Sequence, residues 1–290
     1  MHSVSKVKDR LSSPFDIKLK DTTLEVGAVD TPFTCDYIVE HIKLPKSLKD
    51  IPNIIGWAGP ARSGTTSLLF LLASSRNVDR AYFQPIKTLL RLGRPDFDLG
   101  SGGIVCMKEV FRNCCPAQNH DPIEMLLRAG VPAEKITWLA ILRDPVQTFA
   151  SWTKHMPGSS VQDFYDAQVY TVDFYHKYKK MGVNIIPFAY DVLQEGEDRV
   201  LKLLLERAGL SLGELDLHFD VEEINKKMAY GQAEDIDYFN MSIRPTLQRG
   251  HFVYSSDNNK LPEATMQEVK DLCQKRYEEF YQLSRQELGL

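Results

Sequence analysis

The sequence contains no apolar run long enough to cross a membrane. Its longest uninterrupted apolar stretch is residues 68–73, whereas a transmembrane helix needs about 20 such residues. The N-terminal stretch MHSVSKVKDR also lacks the apolar core of a signal peptide. We therefore expect a soluble, cytoplasmic protein with no membrane partner.

Cysteine is scarce, and positive charge is not in excess. The cysteines are odd in number and lack the paired spacing of a zinc site, so we expect reduced thiols, no disulfide framework and no metal: Cys35, Cys106, Cys114, Cys115 and Cys273. A net charge of −4 argues against a broad nucleic-acid surface, so positive charge for any anion site must be local. The 43% hydrophobic share is typical of a soluble globular chain.

The most informative stretch is residues 54–72, IIGWAGPARSGTTSLLFLL, which predicts an apolar strand, a small-residue turn and an apolar helix. Gly59 and Gly64 permit a tight turn, and the amides of residues 63–66 then point at one anion at a helix start. The loop nearly matches GxxxxGK[ST], but Thr65 replaces the lysine and the nearest cation is Arg62. This departure argues against ordinary ATP or GTP hydrolysis.

A second strand–helix unit is predicted in residues 136–155, ITWLAILRDPVQTFASWTKH. Asp144 is a natural helix N-cap, and Pro145 suits the first helical position. Arg143 is then at the carboxyl end of the strand, and Ser151 lies two turns into the helix. Two such units side by side predict binding sites for two separate phosphates.

The alternation of strands and helices predicts an α/β fold, a P-loop-type parallel sheet with helices on both faces. We expect a single domain over residues 1–290, with residues 1–51 as an N-terminal extension packed on the core and residues 211–261 as a helical or loop lid. Strands are predicted near 54–59, 80–84, 103–109, 136–143 and 184–189, and helices near 64–75, 121–129, 145–155, 161–181, 197–208 and 262–286. Ligands of such sheets bind at the carboxyl ends of the strands.

The segments PARSGTTSL and LRDPVQTFAS resemble those of sulfotransferases that use 3′-phosphoadenosine-5′-phosphosulfate (PAPS). The resemblance implies that PAPS is the cofactor and that Arg143 and Ser151 bind its 3′-phosphate. It further implies that Tyr190 approaches the adenine and that Arg249 and Gly250 belong to a loop over the 3′-phosphate. The loop that would bind the 5′-phosphosulfate comprises Arg62, Ser63, Gly64, Thr65, Thr66 and Ser67.

The resemblance also implies catalytic roles. Arg62 matches a catalytic lysine of the family, and Lys108 resembles the lysine that stabilises the sulfuryl group. Many relatives carry a histidine base where this chain has Val110, so His155 and Glu109 remain as two alternatives for the base. Local positive charge is expected from Arg62, Lys87, Lys108, Arg143 and Arg249. His120 and His251 are interpreted as ordinary loop residues.

These observations predict transfer of a sulfuryl group from PAPS to a hydroxyl or amine of a small-molecule acceptor, without a metal. Two alternatives stay open, namely an ATP-dependent kinase or nucleotide hydrolase on the same fold and a non-catalytic nucleotide-binding module. The sequence predicts neither the acceptor nor the oligomeric state, because an acceptor pocket has no portable sequence code.

Overall fold

A computed structural model describes residues 35–92, 96–111, 120–156, 158–210, 224, 226–229 and 261–290. Its strands are β1 (Ile42–Lys43), β2 (Asn53–Ala58), β3 (Arg80–Phe83), β4 (Phe97–Asp98), β5 (Ile104–Lys108), β6 (Ile136–Leu142), β7 (Asn184–Ala189) and β8 (Met228–Ala229). In this part of the chain, six strands form a parallel sheet in the order β7-β6-β2-β5-β3-β8. The short strands β1 and β4 pair separately, also in parallel.

Helices cover the faces of the main sheet, which confirms the predicted α/β class. They are α1 (Cys35–Glu40), α2 (Thr65–Ser74), α3 (Pro85–Leu92), α4 (Pro122–Ala129), α5 (Pro145–His155), α6 (Val161–Lys180), α7 (Glu197–Arg207) and α8 (Glu263–Leu288). Short 3₁₀ helices span Leu48–Asp50, Ala133–Lys135 and Tyr190–Glu195. None of the helices in the described ranges combines the length and the apolar character needed to cross a bilayer.

The central strands form where the sequence is apolar on both faces of the pleat. In β2 every residue after Asn53 is buried, and in β6 every residue except Thr137 is buried. Such continuous burial is expected of a parallel sheet covered on both sides. Gly56 of β2 lies against the ring of Trp138 in β6, so a side chain there would collide with the indole. The core therefore centres on β2 and its two neighbours.

Helix starts follow local capping chemistry. The Asp144 carboxylate accepts a hydrogen bond from the Gln147 amide at 2.8 Å, and Pro145 occupies the first position of α5, as predicted. Ser160 and Asp163 form a reciprocal capping box at the start of α6. The five predicted strands and six predicted helices are all present, with ends that differ by at most two residues.

The prediction of a lid over residues 211–261 stays a prediction, because the structure describes only a small part of that segment. Ile224 and Met228 are buried in the main core, and β8 pairs with β3 at the edge of the sheet. The remainder of the predicted lid lies outside the described residues. At the other end of the chain, Ile38, Ile42 and Ile51 also belong to the core.

Candidate functional site

The order of the strands creates a switch point between β2 and β6. After β2 the chain forms β3 and β5, which lie on one side of β2 within the sheet, and then β6 and β7, which lie on its other side. In open α/β sheets, ligands bind outside the carboxyl ends of the strands at such a point. Both sequence motifs leave the sheet here, the first after β2 and the second after β6.

The loop between β2 and α2 is tightly constrained. A side chain at Gly59 would strike the carbonyl of Ile141, so the loop approaches β6 at backbone distance. Gly64 has a φ of 83° and is the N-cap of α2, where no side chain caps the helix. The first-turn amides of a helix have no partners within it, so this start is suited to an anion. The Trp57 indole fixes the turn by donating to the Thr65 carbonyl at 2.9 Å.

Hydroxyl groups line this loop. Ser63 is 0% exposed, and its Oγ has no hydrogen-bond partner among the described residues. A buried polar atom without a partner is costly, so this hydroxyl is suited to bind a ligand atom or a water molecule. Thr66 Oγ1 accepts a hydrogen bond from Lys108 Nζ at 2.9 Å. Thr65, at the position of the missing lysine, is buried, and Ser67 lies in the first turn of α2.

The structure brings the two predicted motifs into direct contact. Arg62 Nε donates a hydrogen bond to Ser151 Oγ at 3.0 Å, across 89 residues of sequence. Arg143 is buried at the end of β6, and its guanidinium donates to Gln147 Oε1 at 3.2 Å. The two strand–helix units predicted from the sequence are therefore in direct contact at this edge of the sheet.

Tyr190 lies between the two units. Its ring is so close to Gly64 that a side chain at that glycine would collide with it. The same ring has its centroid 5.6 Å from the Arg143 guanidinium carbon. The ring is 3% exposed and lies beside a guanidinium, a position from which it can border a bound flat heterocycle.

Lys108 concentrates positive charge on the other side of the loop. The residue is 3% exposed, and its Nζ lies 4.2 Å from the centroid of the Phe83 ring. Burial, together with the neighbouring charges of Lys87 and Arg62 and against the opposing effect of Glu109, lowers the pKa of Lys108 from 10.5 to about 7. An anion bound beside these cations would favour the protonated form of Lys108.

Glu109, one of the two predicted candidates for the base, uses both carboxylate oxygens in structural contacts. Oε1 accepts from the Ile86 amide at the start of α3 at 2.8 Å, and Oε2 lies 3.0 Å from His120 Nε2. Both side chains are fully buried. His120 lies outside the helices and strands, as predicted for a loop residue, but its burial and its contact with Glu109 were not predicted. The catalytic assignment of Glu109 stays a prediction, and its geometry favours a structural role.

Behind the site lies a polar network that the sequence did not reveal. Asp191 Oδ2 accepts from the Asp144 amide at 2.6 Å and from the Tyr277 hydroxyl at 2.5 Å. Burial raises the pKa of Asp144, and the neighbouring charge of Asp191 adds to this effect. Asp191 could have been found from the sequence, because it is the acidic residue directly after Tyr190 at the end of a predicted strand. Nothing in the local sequence distinguishes Tyr277 from other helix tyrosines.

Three predicted site residues cannot be placed. Arg249 and Gly250 lie outside the described residues. The backbone of His155 ends α5, but its side chain also lies outside what the structure describes. The roles assigned to these residues stay predictions.

Comparison with known proteins identifies a similar fold but no sequence family. No family model matches the chain, and no curated protein matches it. One solved structure with a similar fold is that of mouse sulfotransferase SULT7A1 complexed with PAP. It is 10% identical in sequence, the match covers 86% of this chain and 94% of that chain, and the TM-score is 0.45. This similarity concerns the fold alone, so the functional argument depends on the site.

Proposed function

We propose that the chain is a sulfotransferase that transfers a sulfuryl group from PAPS to a hydroxyl or amine of a small-molecule acceptor. The observation that carries the proposal is the joining of two anion-binding units by the contact between Arg62 and Ser151 at 3.0 Å. One unit is an uncapped helix start after β2, and the other is the end of β6 and the following helix, which carry Arg143 and Ser151. A donor with phosphate groups on both the 3′ and the 5′ positions of its ribose matches this arrangement.

The residues present fit such a donor. The unpartnered, buried hydroxyl of Ser63 and the uncapped start of α2 both favour an anion at the β2–α2 loop. We assign the 5′-phosphosulfate to this loop, the 3′-phosphate to Arg143 and Ser151, and the adenine to the neighbourhood of Tyr190. Thr65 in place of the P-loop lysine and the capping role of Asp144 both disfavour a kinase or hydrolase.

When bound, PAPS would supply an activated sulfuryl group on a phosphate leaving group. Arg62 would hold oxygens of the reacting centre with its planar guanidinium, which can donate two hydrogen bonds at once. Lys108, fixed by Thr66, would place a compact positive charge beside them. Binding of the anion would keep Lys108 protonated, so it would act as a cation rather than as the base. The base stays unassigned, with His155 and Glu109 as the two candidates from the sequence, of which Glu109 already makes structural contacts through both carboxylate oxygens.

The proposal is tested by comparing nucleotides as ligands of the whole chain. Adenosine 3′,5′-bisphosphate at a hundredfold excess over its dissociation constant should stabilise the fold by about 2.7 kcal/mol. ATP with Mg²⁺ at the same concentration should stabilise it much less, because it lacks a 3′-phosphate. Transfer of labelled sulfate from PAPS into a panel of phenols, alcohols and amines then tests catalysis. Stabilisation by Mg·ATP with turnover, and none by the bisphosphate, would overturn the proposal.

A further inference from the structure

The C-terminal helix α8 holds the segment that follows β7. Tyr277, Tyr281 and Ser284 are spaced so that they share one helix face. The Ser284 hydroxyl accepts from the amide of Ala189, the last residue of β7, at 3.0 Å. The Tyr281 hydroxyl donates to Glu195 Oε1 at 2.7 Å, at the far end of the 3₁₀ turn. These contacts fasten α8 to both ends of that turn.

Tyr277 makes the contact that reaches furthest into the site. Its hydroxyl donates to Asp191 Oδ2 at 2.5 Å, and the same oxygen accepts from the Asp144 amide at 2.6 Å. Tyr277 and Asp191 are each 6% exposed. One carboxylate oxygen therefore connects α8, the turn after β7 and the turn after β6.

The Tyr277 hydroxyl is a permanent donor. Burial and the adjacent Asp191 carboxylate raise the pKa of Tyr277 far above its usual range, so the phenol keeps its proton at any working pH. A short hydrogen bond from a neutral hydroxyl to a carboxylate is among the stronger ones in proteins. It fixes the orientation of Asp191, and with it the position of the Asp144 amide.

Arg143 and Tyr190, which directly precede Asp144 and Asp191 in the sequence, belong to the proposed nucleotide site. Asp144 follows Arg143 directly and caps α5, the helix that carries Ser151. Tyr190 precedes Asp191, and its ring lies against Gly64 and near Arg143. A shift of Asp191 would therefore move the groups that we assign to the 3′-phosphate and the adenine, while the hydrogen bond of Trp57 with Thr65 within the β2–α2 unit would remain.

We propose that Tyr277 is a positioning residue for recognition of the 3′-end of the nucleotide, acting through Asp191 on Arg143 and Tyr190. The inference rests on the proposed function. It predicts that the hydroxyl of Tyr277 contributes to the preference for a 3′-phosphorylated nucleotide more than to affinity for the 5′-phosphate.

The test compares Tyr277→Phe with Tyr281→Phe by calorimetric titration. Each change removes one hydroxyl from the same face of α8, but the partner of Tyr281 is Glu195, which does not contact Asp144 in the described contacts. Tyr277→Phe should weaken adenosine 3′,5′-bisphosphate by about tenfold and adenosine 5′-monophosphate by less than about twofold. Tyr281→Phe should leave both dissociation constants within about twofold.

A structural role alone would lower thermal stability without changing the ratio of the two dissociation constants, and that result would overturn the inference. If Tyr277→Phe does not fold, Asp191→Asn carries the test in the same assay, and an unchanged ratio would again count against it. If both variants fold, the double variant Tyr277→Phe with Asp191→Asn should reduce the preference for the bisphosphate over the monophosphate no further than Tyr277→Phe alone. Both changes act on the same hydrogen bond, so their effects should not add. Failure of the proposed function is a different result, in which the wild-type chain shows no preference for the bisphosphate.

Discussion

Arg62 combines an unusual backbone conformation with a central position in the site. Its φ of 71° is in the left-handed region, which residues other than glycine seldom adopt. Gln84, with a φ of 50°, is the other non-glycine residue of this kind in the described ranges, and it also follows a strand at the carboxyl edge of the sheet. Such conformations cost about 1 to 3 kcal/mol and cluster at functional sites. From this turn the Arg62 guanidinium reaches Ser151 in the strand–helix unit of β6 and α5.

Replacing Arg62 should impair transfer more than binding. Arg62→Ala removes the donor that we place on the reacting oxygens, so the single-turnover rate of sulfate transfer should fall at least about a hundredfold. The dissociation constant of adenosine 3′,5′-bisphosphate should change by less than about tenfold, because the loop amides and Arg143 remain. Arg62→Lys, which keeps the charge but not the fork of donors, should give an intermediate rate. Equal losses in rate and affinity would assign Arg62 to binding alone.

Lys108 predicts a pH dependence of ligand affinity. Its pKa is lowered to about 7 in the free protein, and a bound anion should raise it. Above that pH the free protein must take up a proton to bind, so affinity for the bisphosphate should weaken with rising pH, by at most roughly tenfold per unit. Titrations between about pH 7 and pH 9 measure this slope.

The matched control for Lys108 is another lysine at the opposite end of the sheet. Lys108→Met should flatten the pH dependence, whereas Lys135→Met, in the 3₁₀ helix before β6, should preserve it. A slope that persists in Lys108→Met would assign the titration to a different group.

At the scale of elements, the site depends on how closely the β2–α2 loop and the turn after β7 approach each other. Gly64 and Gly182 both have positive φ, at 83° and 78°. A methyl group added at Gly64 would collide with the Tyr190 ring, whereas one added at Gly182 would meet no atom within 4 Å. Alanine at either position should cost about 1 kcal/mol of stability from the backbone alone. Gly64→Ala should also displace Tyr190 and weaken the bisphosphate severalfold, while Gly182→Ala leaves its affinity unchanged. Titration and urea unfolding of both variants separate the two effects, and equal affinities would exclude a contribution from the Tyr190 contact.

The contact of Glu109 with α3 and His120 is another connection between elements. Glu109→Gln removes a buried charge that two donors face, so the free energy of unfolding should fall by about 2 kcal/mol in urea titrations. Glu124→Gln, which alters a partly exposed pair with Lys177, should change it by less than about 1 kcal/mol. The rate of transfer per folded molecule should survive in Glu109→Gln. A collapse of that rate in a stable protein would instead identify Glu109 as the base.

The sequence predicted elements well where the signal was local. Asp144 and Pro145 marked the start of α5, and continuous apolar runs marked β2 and β6. Helix α3 was missed although its signal was present, with Pro85 at the first position and Ile86, Leu89 and Leu90 buried at helical spacing. Strand β8 had no such signal. It has two residues and exists only through pairing with β3, which is distant in sequence.

At the scale of the whole molecule, the sequence predicted individual residues of the site but not the contacts between residues distant in sequence. The sequence pointed to Arg62, Lys108, Arg143 and Ser151 as individual residues. It did not predict that Arg62 bonds Ser151, that Lys108 bonds Thr66, or that Glu109 pairs with His120. These contacts join separate strand ends, so they arise only when the sheet is assembled. The lowered pKa of Lys108 likewise depends first on burial in the assembled sheet and then on the charge of Lys87, which another strand–helix unit supplies.

A ligand that spans two strand–helix units should owe its affinity to both, which gives a prediction for the whole site. The second phosphate of a nucleotide already held at one end binds intramolecularly, so adenosine 3′,5′-bisphosphate should bind much more tightly than adenosine 5′-monophosphate. Arg143→Ala should weaken the bisphosphate at least about tenfold and leave the monophosphate within about twofold, because Arg143 serves only the 3′-end. Arg128→Ala, which removes an equal charge from an exposed pair with Asp36, controls for the change in net charge and should alter neither ligand. Calorimetric titration of both nucleotides against the wild type, Arg143→Ala and Arg128→Ala measures these affinities. An equal loss of affinity for both nucleotides in Arg143→Ala would mean that Arg143 does not recognise the 3′-phosphate.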